Sequence, residues 1–281
     1  MVSVNPLVKP FVKWAGGKRQ LVPTILANHL PKNYNLQTYY EPFIGGGALL
    51  FSLQPKKAVI NDSNAELINC YKIIKNSLDE LIEDLKNHKN NEYYYYDIRD
   101  WDREKNFKSK TEVQRASRII FLNKTCYNGL FRVNSQGQFN VPFGKYKNPN
   151  ILDIAVLKAV NKYLNENQVR ILNSDFQEAV KDAKRGDFIY LDPPYDPVSE
   201  TASFTGYDVN GFNKQEQRRL KEVFDDLNSR GCHILLSNAY TEFIEDLYKD
   251  YQHTKISAIR AINCNGKKRG KVDEILVKNY E

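Results

Sequence analysis

The chain has 281 residues, enough for one α/β domain with a sizeable insertion or for two small domains. Hydrophobic content is an ordinary 41%, no apolar run approaches the length of a membrane span, and Met1 to Pro6 lack a signal-peptide pattern, so a cytoplasmic protein is expected. A net charge of +7 and a pI near 9.0 permit a polyanionic partner without requiring one.

In chain order, Phe11-Val12-Lys13-Trp14-Ala15-Gly16-Gly17-Lys18-Arg19 is a glycine turn leading into a helix with apolar Leu21, Ile25, Leu26 and Leu30. Backbone N–H groups at such a turn, with Lys18, suit a carboxylate or a phosphate, although P-loop spacing is missing. Thr38 to Gly47 then reads as a strand running into Glu41-Pro42-Phe43-Ile44-Gly45-Gly46-Gly47, with the apolar run Ala48-Leu49-Leu50-Phe51 behind it. Strand, glycine-rich turn and helix are the general build of a nucleotide-binding βα unit. A second strand, Ala58-Val59-Ile60, ends in Asn61-Asp62. Ser63 and Glu66 are expected to form a capping box for a helix carrying Leu67, Tyr71 and Ile74, which leaves Asp62 free. An acidic residue at that strand tip either accepts ribose hydroxyls or neutralises a helix N-terminus.

From Ser77 to about Asn150 the α/β alternation lapses. Ser77-Leu78-Asp79-Glu80 and Thr111-Glu112-Val113-Gln114 look like two further helix starts. Tyr93 to Tyr96 lie between them, as a platform for DNA or, more in keeping with their setting, as packing between helices. Asn123 to Asn134 and Gln136 to Lys147 alternate apolar and polar residues around Asn134-Ser135-Gln136-Gly137, which reads as a β-hairpin. Its Lys, Arg, Asn and Tyr are types that contact phosphates and base edges; composition alone fits an exposed hairpin as well as a readout element.

The α/β pattern resumes at Val169-Arg170-Ile171-Leu172, followed by Asn173-Ser174-Asp175-Phe176, where Asp175 is either a helix cap or an acceptor beside an aromatic ring. Phe188-Ile189-Tyr190-Leu191 then runs straight into Asp192-Pro193-Pro194-Tyr195. Neither proline can donate to a ladder and both fix φ, so the strand ends in a stiff corner. The plain reading is a strand and a proline turn. The chemical reading is a grip on a flat, amino-bearing heterocycle: Asp192 and the Pro193 carbonyl each accept one amino proton while Tyr195 stacks on the ring. Pro197 to Tyr207 suits a loop that orders over substrate. Asn213 and Glu216 cap a helix with Leu220, Val223, Phe224 and Leu227 on one face, stopped by Gly231. Cys232 to Leu236 is a buried strand ending in Ser237-Asn238, with His233 structural; 242–248 is helical. Ile256 to Ile259 and Glu274 to Val277 close the sheet around a basic loop, Asn265 to Lys271, which is either a solvated turn or a DNA-backbone contact. Cys70, Cys126, Cys232 and Cys264 lie far apart and read as reduced side chains rather than a zinc site or disulfide frame.

Lys-Trp-x-Gly-Gly-Lys, Glu-Pro-Phe-x-Gly-Gly-Gly, Tyr-Asn-Gly-Leu-x-Arg-x-Asn with Phe-Asn-Val-Pro-Phe-Gly-x-Tyr, and Asp-Pro-Pro-Tyr, in that order, resemble the Dam-type DNA adenine-N6 methyltransferases, of the α group of amino-methyltransferases. The resemblance covers nearly the whole chain. It implies a Rossmann-like methyltransferase fold, a mostly parallel sheet with the strand ending at Phe43 beside the one ending at Leu191, and an inserted helical plus β-hairpin recognition domain at 70–155 between catalytic parts at 1–69 and 156–281. It implies S-adenosylmethionine as cofactor, no metal, and double-stranded DNA as partner, read at GATC with the adenine flipped out. Trp14, Ala15, Gly16, Gly17, Lys18, Glu41, Pro42, Phe43, Gly45, Gly47, Asp62, Asp175, Phe176 and Asp192 fall on cofactor-binding positions. Asp192, Pro193, Pro194 and Tyr195 fall on the catalytic motif. Asn123, Tyr127, Asn128, Gly129, Leu130, Arg132, Asn134, Asn140 and Pro142 fall on the DNA-contacting segment. Such an enzyme works either beside a cognate restriction endonuclease or alone, as a monomer or weak dimer. A methyltransferase for RNA or for a protein amide shares the proline corner, but the long recognition segment argues against it. A DNA-binding protein with a dead catalytic domain finds no support, because the expected motif residues all stand.

Overall fold

The computed structural model describes residues 4–14, 18–35, 37–197, 212–259 and 271–281. Ala15, Gly16 and Gly17, the loop expected to order over substrate from 198 onward, and the basic loop 265–270 lie outside the described residues. Strands β1 (Tyr39–Glu41), β2 (Lys57–Asn61), β3 (Gln168–Leu172), β4 (Phe188–Leu191), β5 (His233–Ala239), β6 (Gln252–Ile259) and β7 (Lys271–Lys278) form a seven-stranded sheet in the order β3-β2-β1-β4-β5-β7-β6. The first five are parallel and β7 runs antiparallel between β5 and β6. The chain steps outward from β1 to β3, then returns to place β4 on the other side of β1, with Tyr40 opposite both Val59 and Ile189. The switch in strand order therefore lies between β1 and β4, where open α/β sheets bind ligands.

Both faces of the sheet are covered, which is why β4 is apolar throughout rather than alternating. Pleating sends Tyr39, Phe188, Tyr190 and Leu235 to one face and Tyr40, Ile189, Leu191, Ile234 and Leu236 to the other. The first face packs on α1 (Val22–Asn28), α2 (Ala48–Leu53), α3 (Ala65–Asn76) and α7 (Ile154–Glu166), and continues into α4 (Leu78–Lys86), α5 (Glu92–Asp100) and α6 (Glu112–Thr125). The second packs on α8 (Phe176–Ala179), α9 (Lys214–Ser229) and α10 (Glu242–Leu247). The divisions expected at 69/70 and 155/156 fall inside α3 and α7, and one continuous core joins the sheet to α4, α5 and α6.

Local signals set several ends. Thr111 and Gln114 make both halves of a capping box at the start of α6. Gly231, at φ +78°, ends α9 in a conformation that glycine adopts without strain. The cap of α3 differs from expectation: Asn64, not Ser63, accepts the Leu67 N–H, at 3.0 Å. Asp62 causes the shift, because its Oδ1 accepts the Asn64 N–H at 2.9 Å and turns the chain one residue later. Asp62 is thus engaged rather than free, and Glu66 pairs with Arg115 instead of closing a box.

The expected hairpin is a turn without a ladder. Val133 with Phe139 and Cys126 with Phe143 are isolated bridges, and Asn134 N–H to Gln138 O and Asn140 N–H to Arg132 O are main-chain bonds across the loop. Much of the remaining backbone there bonds to side chains of neighbouring helices, so no strand partner is required. Asn123 is one such anchor. Its Oδ1 accepts the Lys13 N–H at 2.7 Å, and its Nδ2 donates to the carbonyls of Lys13 at 2.5 Å and Gly129 at 3.0 Å. Asn123→Asp sets a buried carboxylate against those two carbonyls and is expected to lower stability by about 1–3 kcal/mol. Urea denaturation checks this; an unchanged midpoint would mean that the clamp contributes nothing.

Candidate active site

The carboxyl end of β1 runs through Pro42 and Phe43 into the glycine turn. Gly45 and Gly47 have φ of +47° and +70°, and a Cβ on Gly45 would lie 2.8 Å from Trp14 Cδ1. Only glycine lets the turn pass that close to the indole. Asp62 Oδ2 accepts the Gly45 N–H at 3.0 Å, so one carboxylate ties the glycine turn to the start of α3. Asn61, which carries no signal in the sequence beyond its place at a strand tip, fastens the neighbouring loops. Its Nδ2 donates to the carbonyls of Pro42 and Ser174, both at 3.0 Å, and its Oδ1 accepts the Ser174 N–H at 2.8 Å.

Across the switch point, β4 delivers Asp192. Its Oδ1 lies 2.8 Å from Lys18 Nζ and accepts a hydrogen bond from Ser237 Oγ at 2.9 Å. Lys18, buried and expected to meet a carboxylate or phosphate, has met the carboxylate of the proline corner. Its ammonium also stands 4.2 Å from the centroid of the Tyr195 ring. The Tyr195 hydroxyl donates to Glu274 at 2.8 Å. Behind the corner, Gln217 Nε2 donates to the Pro194 carbonyl at 3.0 Å, while Asn238 holds both Gln217 Oε1 and the Asp196 N–H. Among the described residues no hydrogen bond uses the Pro193 carbonyl. Ser237, Glu274, Gln217 and Asn238 escaped the sequence reading. The polar end of an otherwise apolar β5 was the available sign for Ser237 and Asn238.

The floor of this cleft is rich in acid. Burial pushes the Asp192 carboxyl up from its ordinary value, against the opposing pull of Lys18. Glu41, buried at the tip of β1, accepts from the Tyr39 hydroxyl at 2.7 Å and the Leu50 N–H at 3.2 Å. Desolvation nonetheless raises its pKa to about 8, with the Asp192 charge adding to the shift. Beside the acids lies an aromatic wall: the Phe43 ring is 5.3 Å from that of Phe176 and 5.8 Å from that of Phe212. The Arg219 guanidinium lies 4.3 Å from the Phe176 centroid. Asp175 caps α8 through the Gln177 N–H at 2.9 Å and pairs with Arg219 at 2.7 Å, yet stays exposed enough to accept further bonds. An acid-lined, partly aromatic crevice suits a cationic ligand that carries a heterocycle.

Trp14 joins this crevice to the segment expected to meet DNA, stacking on Phe131 at 4.9 Å. On that segment Tyr127 is 43% exposed, and Arg132 and Pro142 are exposed. Asn128 adopts φ +56° with its N–H on the Tyr146 hydroxyl; Gly129 follows at φ +64° against the Lys13 side chain, and Leu130 is half-buried. Arg132 is held by Asn140, Nε to Oδ1 at 2.7 Å and Nη2 to the main-chain carbonyl at 3.2 Å. Two residues expected at the DNA are engaged within the protein. Asn123 is buried, its amide engaged as the clamp described above. Asn134 uses Oδ1 for the Gln136 and Gln138 N–H groups and Nδ2 for Gln138, so its amide builds the turn.

The raised Glu41 pKa has a consequence for stability. Between the ordinary 4.5 and about 8, Glu41 is protonated in the folded protein and ionised when unfolded, so unfolding releases a proton. Its stabilising contribution is fully present below 4.5 and is lost as pH rises through about 8. Glu41→Gln keeps an acceptor for Tyr39 and Leu50 and is expected to flatten this part of the stability profile. Denaturation of both proteins across that window measures it; parallel profiles would show that Glu41 does not titrate there.

Comparison with known proteins gives this crevice a context. The profile of the D12 class N6 adenine-specific DNA methyltransferases matches residues 14–262. The chain is 49% identical over 275 residues to the type II methyltransferase M1.LlaDCHI of Lactococcus lactis subsp. cremoris, covering 97% of this chain and 96% of the relative. It is 45% identical over 291 residues to the type II methyltransferase M.MjaIII of Methanocaldococcus jannaschii, covering 97% and 99%. It is also 34% identical over 272 residues to the DNA adenine methylase of Escherichia coli strain K12, covering 95% and 94%. With glycine turn, acid-lined crevice and Asp-Pro-Pro-Tyr corner in one place, the chain belongs to the D12 class N6 adenine-specific DNA methyltransferase family.

Proposed function

We propose that the protein transfers a methyl group from S-adenosylmethionine to the N6 amino group of adenine in double-stranded DNA, with GATC as its target. The observation that carries this reading is the juxtaposition of Asp192 and the proline corner with the glycine turn across β1 and β4. When bound, S-adenosylmethionine supplies a sulfonium methyl already activated for transfer. The crevice fits it, because Asp62, Asp175 and Asp192 complement its cationic groups and ribose hydroxyls, Glu41 lies at the strand tip beside them, and Phe43 and Phe176 offer apolar surface to its adenine. Trp14, Lys18, Pro42, Gly45 and Gly47 complete the holding set, together with Ala15, Gly16 and Gly17.

Asp192 and the Pro193 carbonyl then accept the two amino protons of the target adenine. Those bonds favour a more tetrahedral nitrogen whose lone pair can point at the methyl group. Lys18 and Ser237 hold the Asp192 carboxylate in orientation, and Tyr195, fixed by Glu274, presents its ring to the base. Adenine inside a duplex cannot reach such a corner, so the base is flipped out, with Tyr127 available to fill the stack. Residues 70–155 act as the recognition unit, with Arg132 reading a guanine edge and Asn128, Asn140 and Pro142 near it. The two relatives named type II methyltransferases favour a role beside a cognate restriction endonuclease.

Modification-aware sequencing of DNA from cells expressing the protein tests the whole reading; methylated adenine within GATC is the expected result. Asp192→Ala should lower methyl transfer by at least roughly 100-fold, since alignment of the amino group is lost. DNA binding should survive, because phosphate contacts elsewhere supply most of the affinity. Near-normal turnover would remove Asp192 from the reaction. Arg132→Ala should cost roughly 1–3 kcal/mol of discrimination at one guanine position, assayed on GATC and its single-base variants. Uniform weakening of every sequence, with a shallower salt dependence, would make Arg132 a phosphate contact instead.

A further inference from the structure

Away from the crevice, a buried charge cluster grips the recognition segment from behind. Arg118, in α6 and 1% exposed, is among the largest fully buried side chains of the protein. Its Nη2 lies 2.7 Å from Asp102 Oδ2 and donates to the Arg99 carbonyl at 2.5 Å, and its Nε donates to the Ile98 carbonyl at 2.8 Å, both carbonyls at the end of α5. Asp102 Oδ1 lies 2.7 Å from Arg103 Nη1. The same Asp102 Oδ2 accepts the Phe139 N–H at 2.8 Å, and Arg103 Nη2 donates to the Phe139 carbonyl at 2.9 Å. Asp102 and Arg103 therefore take both main-chain groups of Phe139, as a facing strand would. The next residue is Asn140, which carries the two bonds that orient the Arg132 guanidinium and whose N–H bonds the Arg132 carbonyl.

We infer that Asp102 and Arg103, backed by Arg118, are positioning residues for target readout. They fix the main chain at Phe139 and, through Asn140, the direction in which Arg132 meets a base edge. The inference rests on the reading of Arg132 given under Proposed function. The ion pair holds Asp102 in place, so the loop keeps one register without a ladder: moving Phe139 would leave its buried N–H and carbonyl without their charged partners. Each contact is short, charge-assisted and directional, so a small displacement of Phe139 swings the guanidinium fork away from paired acceptors, where planar bidentate recognition is intolerant.

Arg103 is the residue to change, because its side chain is partly exposed and Arg118 keeps its partner when it goes. For Arg103→Ala, kcat/KM on GATC relative to the single-base variants should fall roughly five- to tenfold, the scale of one base-edge contact. Cofactor affinity and kcat on GATC at saturating DNA should stay within about twofold, since no reacting group has moved. Arg103→Lys, which keeps one donor for the Phe139 carbonyl, should recover part of the discrimination. Arg132→Ala is run alongside. If Arg132→Ala relaxes discrimination while Arg103→Ala leaves it intact, the positioning role is overturned and the readout role of Arg132 stands. Equal loss on every sequence for Arg103→Ala would also overturn it, by showing a purely structural part. Unchanged discrimination in both variants would sink the readout reading and the inference with it.

Discussion

Parallel pairing of β1 with β4 is the constraint on which the functional part of the molecule depends. The two strands are far apart in sequence, and nothing local joins them, yet the register Tyr39 to Phe188 and Tyr40 to Ile189 brings Glu41 and Asp192 to the same edge. Once that register holds, the glycine turn after β1 and the proline corner after β4 must face one crevice, because both chains end their strands there. The pairing is secured by burial on both faces, where the apolar run of β4 is packed by two separate layers of helices. A slip by one residue would exchange every side chain between those layers, so the site is registered by the core itself.

Around that crevice the protein concentrates charge where water is scarce. Asp192 meets Lys18, Glu41 meets two donors, and Asp62 holds two backbone N–H groups. Desolvation still raises both Glu41 and Asp192, which means that their partners do not fully offset burial. A crevice in that condition favours the arrival of a positive charge, and a sulfonium with an ammonium is one. The electrostatic character of the floor thus follows from the fold, which buries strand tips, combined with the acidic residues the sequence places there.

Much of this is legible in the residues themselves. Proline cannot continue a ladder, so the end of β4 at Leu191 and the corner at Asp192 are local consequences of residue chemistry. The capping box at Thr111 and Gln114, the stop at Gly231 and the apolar strands were readable for the same reason. What was not legible depended on partners that a motif does not name, some distant in sequence and some a few residues away. Ser63 has the right spacing to cap α3, but Asp62 turns the chain first, and Asp62 does so because it also holds Gly45. Asn123 and Asn134 have side chains suited to bases, but one is buried by Lys13 and the other builds its own turn. An amide looks the same in a motif whether it faces DNA or a carbonyl.

The segment from Asn123 to Lys147 shows what alternation leaves unsaid. Alternating apolar and polar residues do mark which side chains point inward, and Phe131, Phe139 and Val141 are indeed buried. The pattern says nothing about what satisfies the main chain between them. Here Gly129, Phe139 and Val141 bond to Asn123, to Asp102 with Arg103, and to Tyr95, all on or beside α5 and α6. A strand ladder would fix every residue of the segment to a neighbouring strand. Point anchors fix a few backbone positions and leave the exposed side chains beside and between them, Tyr127 and Arg132 among them, to differ without disturbing the core. Buried anchors with exposed intervening residues are what a surface needs if its pose is to be rigid while its chemistry is set by a few side chains.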